Sequence, residues 1–145
     1  MQVKFEKVND RSEECALIKA VECTGEIKTA MELLEGSAAG ISVIKDGATV
    51  LCKLSAIYYF ESVDKKTFVY TKDDCYETKH RLYEIEEMSY PYFARCSKAM
   101  IVNLRKIKKV SSELGARMNA ELLNGESLVI ARSYVKDIKR RLDIG

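Results

Sequence analysis

The stretch YFARCSKAMIVNLRKIKKV, residues 92–110, sets the expectations for the whole chain. It carries six cations and no acid: Arg95, Lys98, Arg105, Lys106, Lys108 and Lys109. Aromatic and aliphatic residues interleave with these charges, so the stretch also supplies core residues, which a disordered basic tail does not. Cations held in a fixed geometry suit a polyphosphate backbone, because each neutralised phosphate releases a condensed counterion. A solvated charged edge of a sheet is the alternative interpretation.

Charge is divided unevenly along the chain. The protein has 145 residues and a formal net charge of +2. Residues 92–145 hold twelve bases and five acids, whereas residues 1–35 hold eight acids and five bases. An acidic N-terminal part and a basic C-terminal part are expected of a chain whose C-terminal half binds an anion. The length fits one domain, with or without a small N-terminal extension.

The five cysteines are scattered and form no C-x-x-C pair. Their odd number and irregular spacing predict reduced, mostly buried thiols in a reducing compartment, with a redox sensor as the alternative. The first ten residues lack the apolar region of a signal peptide, and no apolar run approaches the length of a membrane span. We therefore expect a cytoplasmic protein.

The first part of the chain is predicted to form a short β–α segment. Residues 3–8 predict a strand. Residues 15–21 fit a strand or a helix by periodicity, and we favour a strand because Gly25 interrupts any longer helix. Apolar residues then recur at helical spacing from Ile27 to Leu34, with Thr24 as the N-cap and Gly36 just past the end. A boundary predicted at residues 36–40 gives an N-terminal segment over residues 1–40 and a main domain over residues 41–145.

Past residue 40 the pattern is mainly β. Asp46-Gly47 and Asn124-Gly125 each predict the turn of a hairpin, because such pairs accept positive φ angles. Further strands are predicted at residues 57–63, 67–71, 75–79, 107–110, 117–123 and 127–131. A short helix is predicted near residues 82–88, and a C-terminal helix is predicted with Ser133 as its cap. The expected fold is mainly β with an α/β N-terminal part.

Residues suited to catalysis or metal binding are sparse. His80 is the only histidine and lies between Lys79 and Arg81, so we interpret it as a surface residue rather than a general base. The sequence contains no phosphate-loop, dinucleotide-binding or G-x-S-x-G motif. We expect no enzymatic activity, no cofactor, no metal and no small-molecule substrate.

Three cationic or polar spots remain as candidates for binding. They are the turn at residues 65–67, the stretch at residues 95–109, and Arg132 at the head of the last helix. Arg, Lys, Asn and Thr side chains contact bases and phosphates in protein–DNA complexes. Spacing alone does not show that the three spots converge.

Residues 93–107 resemble the signature of the LytTR DNA-binding domain family, F-x-R-x-[HS]-[RKN]-S-x-I-V-N-x-x-x-I. The matching positions are Phe93, Arg95, Ser97, Lys98, Ile101, Val102, Asn103 and Ile107. Blocks at residues 57–71 and 123–136 resemble the family's opening I-x-Y-x-E and closing G-x-x-I-x-V-S-R-x-x-x-K patterns. The resemblance implies an elongated fold of about ten short strands whose loops enter successive major grooves of double-stranded DNA.

The resemblance also implies which residues meet DNA. Base contacts would come from three loops, at Lys66 or Thr67, at Lys98 and at Arg132. Ser97 and Asn103 would orient the second loop or touch phosphate, and Lys136 would add a backbone contact. The complete expected set is Lys66, Thr67, Arg95, Ser97, Lys98, Asn103, Arg132 and Lys136.

The chain resembles the stand-alone type of this family, in which a short segment replaces a receiver domain. We expect a transcriptional regulator that binds DNA as a homodimer through the apolar helix near residues 24–35, with a membrane protein or sensor as a regulatory partner. Ala99 and Ala131 stand where the family usually has Ser, and Ser97 stands where His is more frequent. These departures keep an alternative open, a protein-interaction module or anti-activator that binds DNA weakly.

Overall fold

The computed structural model describes residues 1–35, 40–88 and 92–143, and these residues form two antiparallel sheets and three α-helices. The large sheet consists of β1 (Gly40–Lys45), β2 (Ala48–Lys53), β3 (Tyr59–Val63), β4 (Lys66–Tyr70), β5 (Cys75–Thr78), β6 (Phe93–Ser97) and β7 (Met100–Asn103), in the order β2-β1-β5-β4-β3-β7-β6. The small sheet consists of β8 (Ile107–Ser112), β9 (Met118–Leu122) and β10 (Ser127–Ile130), in the order β10-β9-β8. The helices are α1 (Gly25–Leu34), α2 (Leu82–Glu87) and α3 (Arg132–Arg141). The predicted mainly β fold is confirmed.

Both predicted hairpin turns form, and the glycine of each has a positive φ angle. Asp46 and Gly47 have φ angles of 50° and 79°, so this two-residue turn between β1 and β2 has the positive φ at both positions that a type I′ turn needs. Gly125 has φ 91° between β9 and β10, and its N–H donates to the Leu122 carbonyl at 3.0 Å. The glycines therefore fix the register of two strand pairs.

Two buried clusters lie on opposite faces of the large sheet. Successive residues of a strand point to opposite faces, so Ile101 belongs to one cluster while Val102 belongs to the other. The cluster containing Ile101 is covered by α2 through Leu82 and Ile85. The cluster containing Val102 packs the large sheet against the small sheet and α3. Because β7 is buried on both faces, it gives the turn that precedes it a rigid support.

The two strands predicted at residues 3–8 and 15–21 are wrong. Before α1 the structure contains a single short 3₁₀ turn, Arg11–Glu13, and Val3 and Phe5 are 91% and 88% exposed. A strand needs a neighbour that pairs with its backbone N–H and C=O groups. Neither of these segments pairs with a described strand, and nearly all of their residues are exposed.

Helix α1 forms where the apolar spacing predicted it. The Thr24 hydroxyl accepts from the Ile27 N–H at 3.4 Å, which confirms the N-cap. Its apolar residues are largely uncovered, and Leu33 and Leu34 are 65% and 61% exposed. The predicted helix end at Gly36 and most of the predicted boundary lie outside the described residues. The division at residue 40 therefore remains a prediction.

Two further expectations are wrong in detail. Helix α3 has Ala131 rather than Ser133 at its N-cap position, because a hydrogen bond to β6 fixes where the chain enters the helix. Among the cysteines only Cys96 is buried; Cys52 is half-buried and Cys15, Cys23 and Cys75 are exposed. Within the described ranges, no helix has the length and apolar character needed to cross a bilayer.

Candidate nucleic-acid interface

The turn between β6 and β7, at Lys98 and Ala99, is fastened from within by Arg95. The Arg95 Nε donates to the Ser97 carbonyl at 3.1 Å, and its Nη2 donates to the Lys98 carbonyl at 2.8 Å. Its Nη1 lies 3.3 Å from the Glu86 carboxylate, and the side chain is only 22% exposed. The guanidinium that was expected among the DNA contacts therefore faces its own turn.

Ser97 also stabilises the β6–β7 turn through a side-chain hydrogen bond. Its Oγ accepts from the Ala99 N–H at 3.2 Å, so the turn has a side-chain hydrogen bond at each end. The Lys98 side chain projects from the tip and is exposed. The turn presents one cation on a backbone that is fixed by its neighbours.

A hydrogen bond at a β-bulge in β6 joins the strand before this turn to the start of α3. The register of β6 against β7 shifts between Arg95 and Ser97, which leaves Cys96 as the additional residue. The Cys96 carbonyl accepts from the Ala131 N–H at 2.8 Å. Arg132, the first residue of α3, is exposed and consequently lies beside the β6–β7 turn.

Lys136 lies one helical turn further along α3. Residues four apart occupy the same face of a helix, and both Arg132 and Lys136 are exposed. The helix thus extends the cationic surface away from the β6–β7 turn.

A second hydrogen bond connects the β6–β7 turn to the turn between β3 and β4. The Ser62 N–H donates to the Ala99 carbonyl at 2.8 Å, next to the point where Glu61 pairs with Met100. The β3–β4 turn consists of Asp64 and Lys65, whose φ angles are 50° and 67°. Lys66, Lys98 and Arg132, one residue from each of the three spots, therefore lie along one edge of the fold.

The β3–β4 turn also separates the two candidates for the first loop. Lys66 is exposed and its Nζ lies 3.8 Å from the Glu77 carboxylate. Thr67 is only 3% exposed. Lys66 is therefore the member of this pair that can reach a ligand, and Thr67 belongs to the interior.

Asn103 is buried at the C-terminal end of β7 and holds the backbone there. Its Nδ2 donates to the Ile57 carbonyl at 2.9 Å, and its Oδ1 accepts from the Arg105 N–H at 3.0 Å. The side chain is 4% exposed. Asn103 pairs with Phe93 at the end of β7 opposite the β6–β7 turn, so these hydrogen bonds fix the backbone at that end of the strand rather than the turn itself.

The cations of residues 92–110 have different surroundings. Arg105 pairs with Glu35, the residue that follows α1, at 2.8 Å and stacks on the Tyr92 ring at 3.9 Å. The hydrogen bond from Arg105 lowers the pKa of Glu35. Lys109 pairs with Glu121 at 3.2 Å. Part of the stretch is thus a charged sheet edge, as the alternative interpretation held, while Lys98 faces outward from a fixed turn.

The sequence interpretation missed the segment Lys79-His80-Arg81, which it considered only as the setting of the histidine. Pairing of Thr67 with Thr78 in β4 and β5 brings this segment beside Lys66. The Arg81 Nη1 donates to the Lys65 carbonyl at 2.6 Å. The register of the β4–β5 hairpin, if it had been inferred from the sequence, would have placed this segment beside Lys66.

Residues 47–143 match the family described as the LytTr DNA-binding domain. This chain belongs to the LytTR DNA-binding domain family. A solved LytTr DNA-binding domain from Bacillus cereus matches the LytTR fold of this chain with a TM-score of 0.66 and 26% identity, over 71% of this chain and 95% of that one. The resemblance inferred from the sequence is confirmed.

Curated relatives of this LytTR protein are described as transcriptional regulators. An uncharacterized HTH-type transcriptional regulator of Staphylococcus aureus is 32% identical over 91 residues, 63% of this chain and 62% of its own length. The transcriptional regulatory protein YpdB of Escherichia coli is 27% identical over 106 residues, 72% of this chain and 43% of its own length. The chain thus spans about three fifths of the S. aureus relative and less than half of YpdB.

Proposed function

We propose that this LytTR protein is a sequence-specific transcriptional regulator that reads the major groove through three loops of its β domain. The observation that carries the proposal is the pair of hydrogen bonds, Ser62 N–H to Ala99 and Ala131 N–H to Cys96, that set Lys66, Lys98 and Arg132 along one edge. Membership of a DNA-binding family and the regulatory names of the relatives support the same function.

The residues of the interface divide into readers and supports. Lys98 and Arg132 are the principal base readers and Lys66 is the third, because each is exposed on a fixed backbone. Arg offers two parallel donors to guanine, while Lys offers a single cationic donor. Lys136 contacts the phosphate backbone. Arg95 and Ser97 hold the second loop, Asn103 supports the other end of β7, and Thr67 packs beneath the first loop.

Two substitutions on α3 separate base reading from phosphate contact. Arg132→Ala is expected to cost about 1–3 kcal/mol of binding at a guanine-bearing site and to relax the preference there. Lys136→Ala is expected to weaken all sequences alike and to flatten the salt slope by about 0.9. Fluorescence anisotropy on the region upstream of the protein's own gene and on a scrambled duplex, at several salt concentrations, measures both. If Arg132→Ala leaves affinity and base preference intact, the assignment of that residue fails.

We further propose a cytoplasmic homodimer that binds repeated half-sites, with a membrane protein or sensor as a regulatory partner. Two weak half-sites joined in one assembly gain affinity through effective concentration. Helix α1 supports this proposal, because Met31, Leu33 and Leu34 are exposed on it.

Charge placed on α1 tests the dimer. Leu33→Lys together with Leu34→Lys in the full chain is expected to convert a dimer to a monomer in analytical ultracentrifugation. Val129→Lys, on an exposed face of β10, is the control for adding charge at an exposed apolar site. A dimer that persists in the α1 variant would exclude this helix as the dimer contact.

The second candidate is a protein-interaction module that binds DNA weakly. Ala99 and Ala131 favour it, since neither offers the hydroxyl that the family usually places beside the reading residues. Each missing neutral contact is worth about 1 kcal/mol. Micromolar binding that is equal for native and scrambled duplexes would favour this candidate over the specific regulator.

A further inference from the structure

Beside the first loop, the large sheet has a concave pocket of about 250 Å³ whose lining is mostly cationic. Lys65, Lys66, Lys79 and Arg81 line it, and Glu77 is its single carboxylate. Four like charges around one depression repel one another unless an anion lies among them. Glu77 offsets only part of this charge, because its carboxylate pairs with Lys66 at 3.8 Å.

The pocket is built on fixed backbone. Thr67 and Thr78 form its floor, pair across β4 and β5, and are 3% and 4% exposed. The Thr78 hydroxyl is already engaged, since it donates to the Ser42 carbonyl at 3.0 Å. A ligand would therefore be held by the cations around the rim rather than by the Thr78 hydroxyl.

Arg81 fastens the rim to the first loop. Its Nη1 donates to the Lys65 carbonyl at 2.6 Å, and its N–H donates to the Glu84 carboxylate at 3.0 Å. Lys79, in contrast, is exposed and forms no ion pair with any residue that the structure describes. A cation with no acidic partner at the edge of a basic depression is placed to neutralise a ligand.

We propose that this pocket is a phosphate site and that the phosphate comes from the DNA backbone next to the bases read by the first loop. The inference rests on the proposed function for the source of the phosphate, because Lys66 borders both the pocket and the reading edge. The volume holds a phosphate group with several waters, given about 30 Å³ for each water in the liquid. Lys79 is the residue dedicated to this contact, and Arg81 positions the loop as well as lining the pocket.

Lys79→Gln removes the charge while keeping most of the side chain. One phosphate contact contributes about 0.9 to the slope of log K against log salt, so its loss lowers affinity about eightfold at 0.1 M salt and has little effect near 1 M. The loss is expected to be equal for the native upstream fragment and a scrambled duplex, because phosphates carry no sequence. Lys72→Gln is the matched control, since Lys72 is exposed in the turn between β4 and β5, at the opposite end of these strands.

A second measurement tests whether the pocket binds a free phosphate compound, and comparison with the DNA titrations identifies the source of the phosphate. Sodium pyrophosphate is titrated at constant ionic strength while thermal unfolding is followed for the wild type, Lys79→Gln and Lys72→Gln. Stabilisation of the wild type that Lys79→Gln loses, with DNA affinity and salt slope unchanged, would support a phosphate pocket that serves a free anion instead of DNA.

The possible outcomes distinguish failure of the pocket proposal from failure of the proposed function. If wild-type protein binds the native fragment specifically while Lys79→Gln matches it in affinity, salt slope and response to pyrophosphate, the pocket proposal is overturned and the regulator stands. If wild-type protein prefers no duplex, the regulator fails, and the pyrophosphate titration alone decides whether the pocket binds phosphate.

Discussion

Replacing Arg95 tests whether the β6–β7 turn must be held in place before DNA arrives. The guanidinium bridges the carbonyls of Ser97 and Lys98 with its Nε and Nη2 groups. Arg95→Ala removes both hydrogen bonds and the charge. Arg95→Lys keeps the charge, but one ammonium group does not reproduce the planar fork that spans two carbonyls. The two variants therefore separate a geometric role from an electrostatic one.

The expected loss of DNA affinity depends on how many residues of the turn regain conformational freedom. Ser97 and Ser62 still hold Ala99 in either variant, so Lys98 is the residue that regains most freedom. Fixing one residue costs about 1–2 kcal/mol of conformational free energy, which binding must then supply. Affinity for a specific duplex should fall by about 5- to 30-fold in both variants.

Fluorescence anisotropy over a salt series measures this effect. The salt slope is expected to stay at the wild-type value, because the Arg95 guanidinium faces its own turn. Lys136→Ala provides the comparison, since it should lose about 0.9 from the slope. Circular dichroism melting curves confirm that each variant is folded at the assay temperature. Wild-type affinity in Arg95→Lys, combined with a slope loss of about 0.9 in Arg95→Ala, would show that Arg95 acts as a phosphate contact and refute the reasoning.

Two other predictions concern buried groups. Asn103→Ala should lower the free energy of unfolding by about 1–3 kcal/mol in urea titrations, because it leaves the Ile57 carbonyl without its partner, while the salt slope of DNA binding stays unchanged; a stability loss below about 0.5 kcal/mol would contradict the buried supporting role. Burial raises the pKa of the Cys96 thiol to about 12, so at pH 8 only about one molecule in ten thousand carries the thiolate. A thiol reagent should titrate Cys15, Cys23 and Cys75 quickly in native protein, and should reach Cys96 only in denaturant; rapid native labelling of a variant that retains Cys96 alone would contradict its burial.

The parts of the fold that depend on local chemistry were predictable from the sequence. Asp46-Gly47 specifies its turn because both residues accept positive φ, and Thr24 specifies the start of α1 through its own hydroxyl. The strands predicted at residues 3–8 and 15–21 did not form because neither segment pairs with a described strand, and a local pattern of apolar residues does not supply a partner. Two exposed cysteines escaped prediction for the same reason, since Cys15 lies in the second of these segments and Cys23 lies just after it.

The assembly of the candidate interface depended on contacts that the sequence does not display. Ser133 has the side chain of a helix cap, yet α3 begins at Arg132 because the Ala131 N–H bonds to Cys96 of a distant strand. Arg95 has the charge of a DNA contact, yet its donors are used within its own turn. A family pattern identifies such positions without separating residues that touch the ligand from residues that hold them.

The hydrogen bond between Ala131 and Cys96 makes the position of Arg132, one of the three proposed base readers, dependent on completion of the fold. Arg132 is the last of the three to be synthesised, and it takes its place only when β10 and α3 have packed on the strands made earlier. A nascent or partly unfolded chain can present Lys66 and Lys98 without completing the interface. Occupancy of an operator should therefore follow the fraction of molecules that are fully folded. A substitution at the buried Ile138, far from any base, would then reduce regulation by lowering the abundance of competent protein.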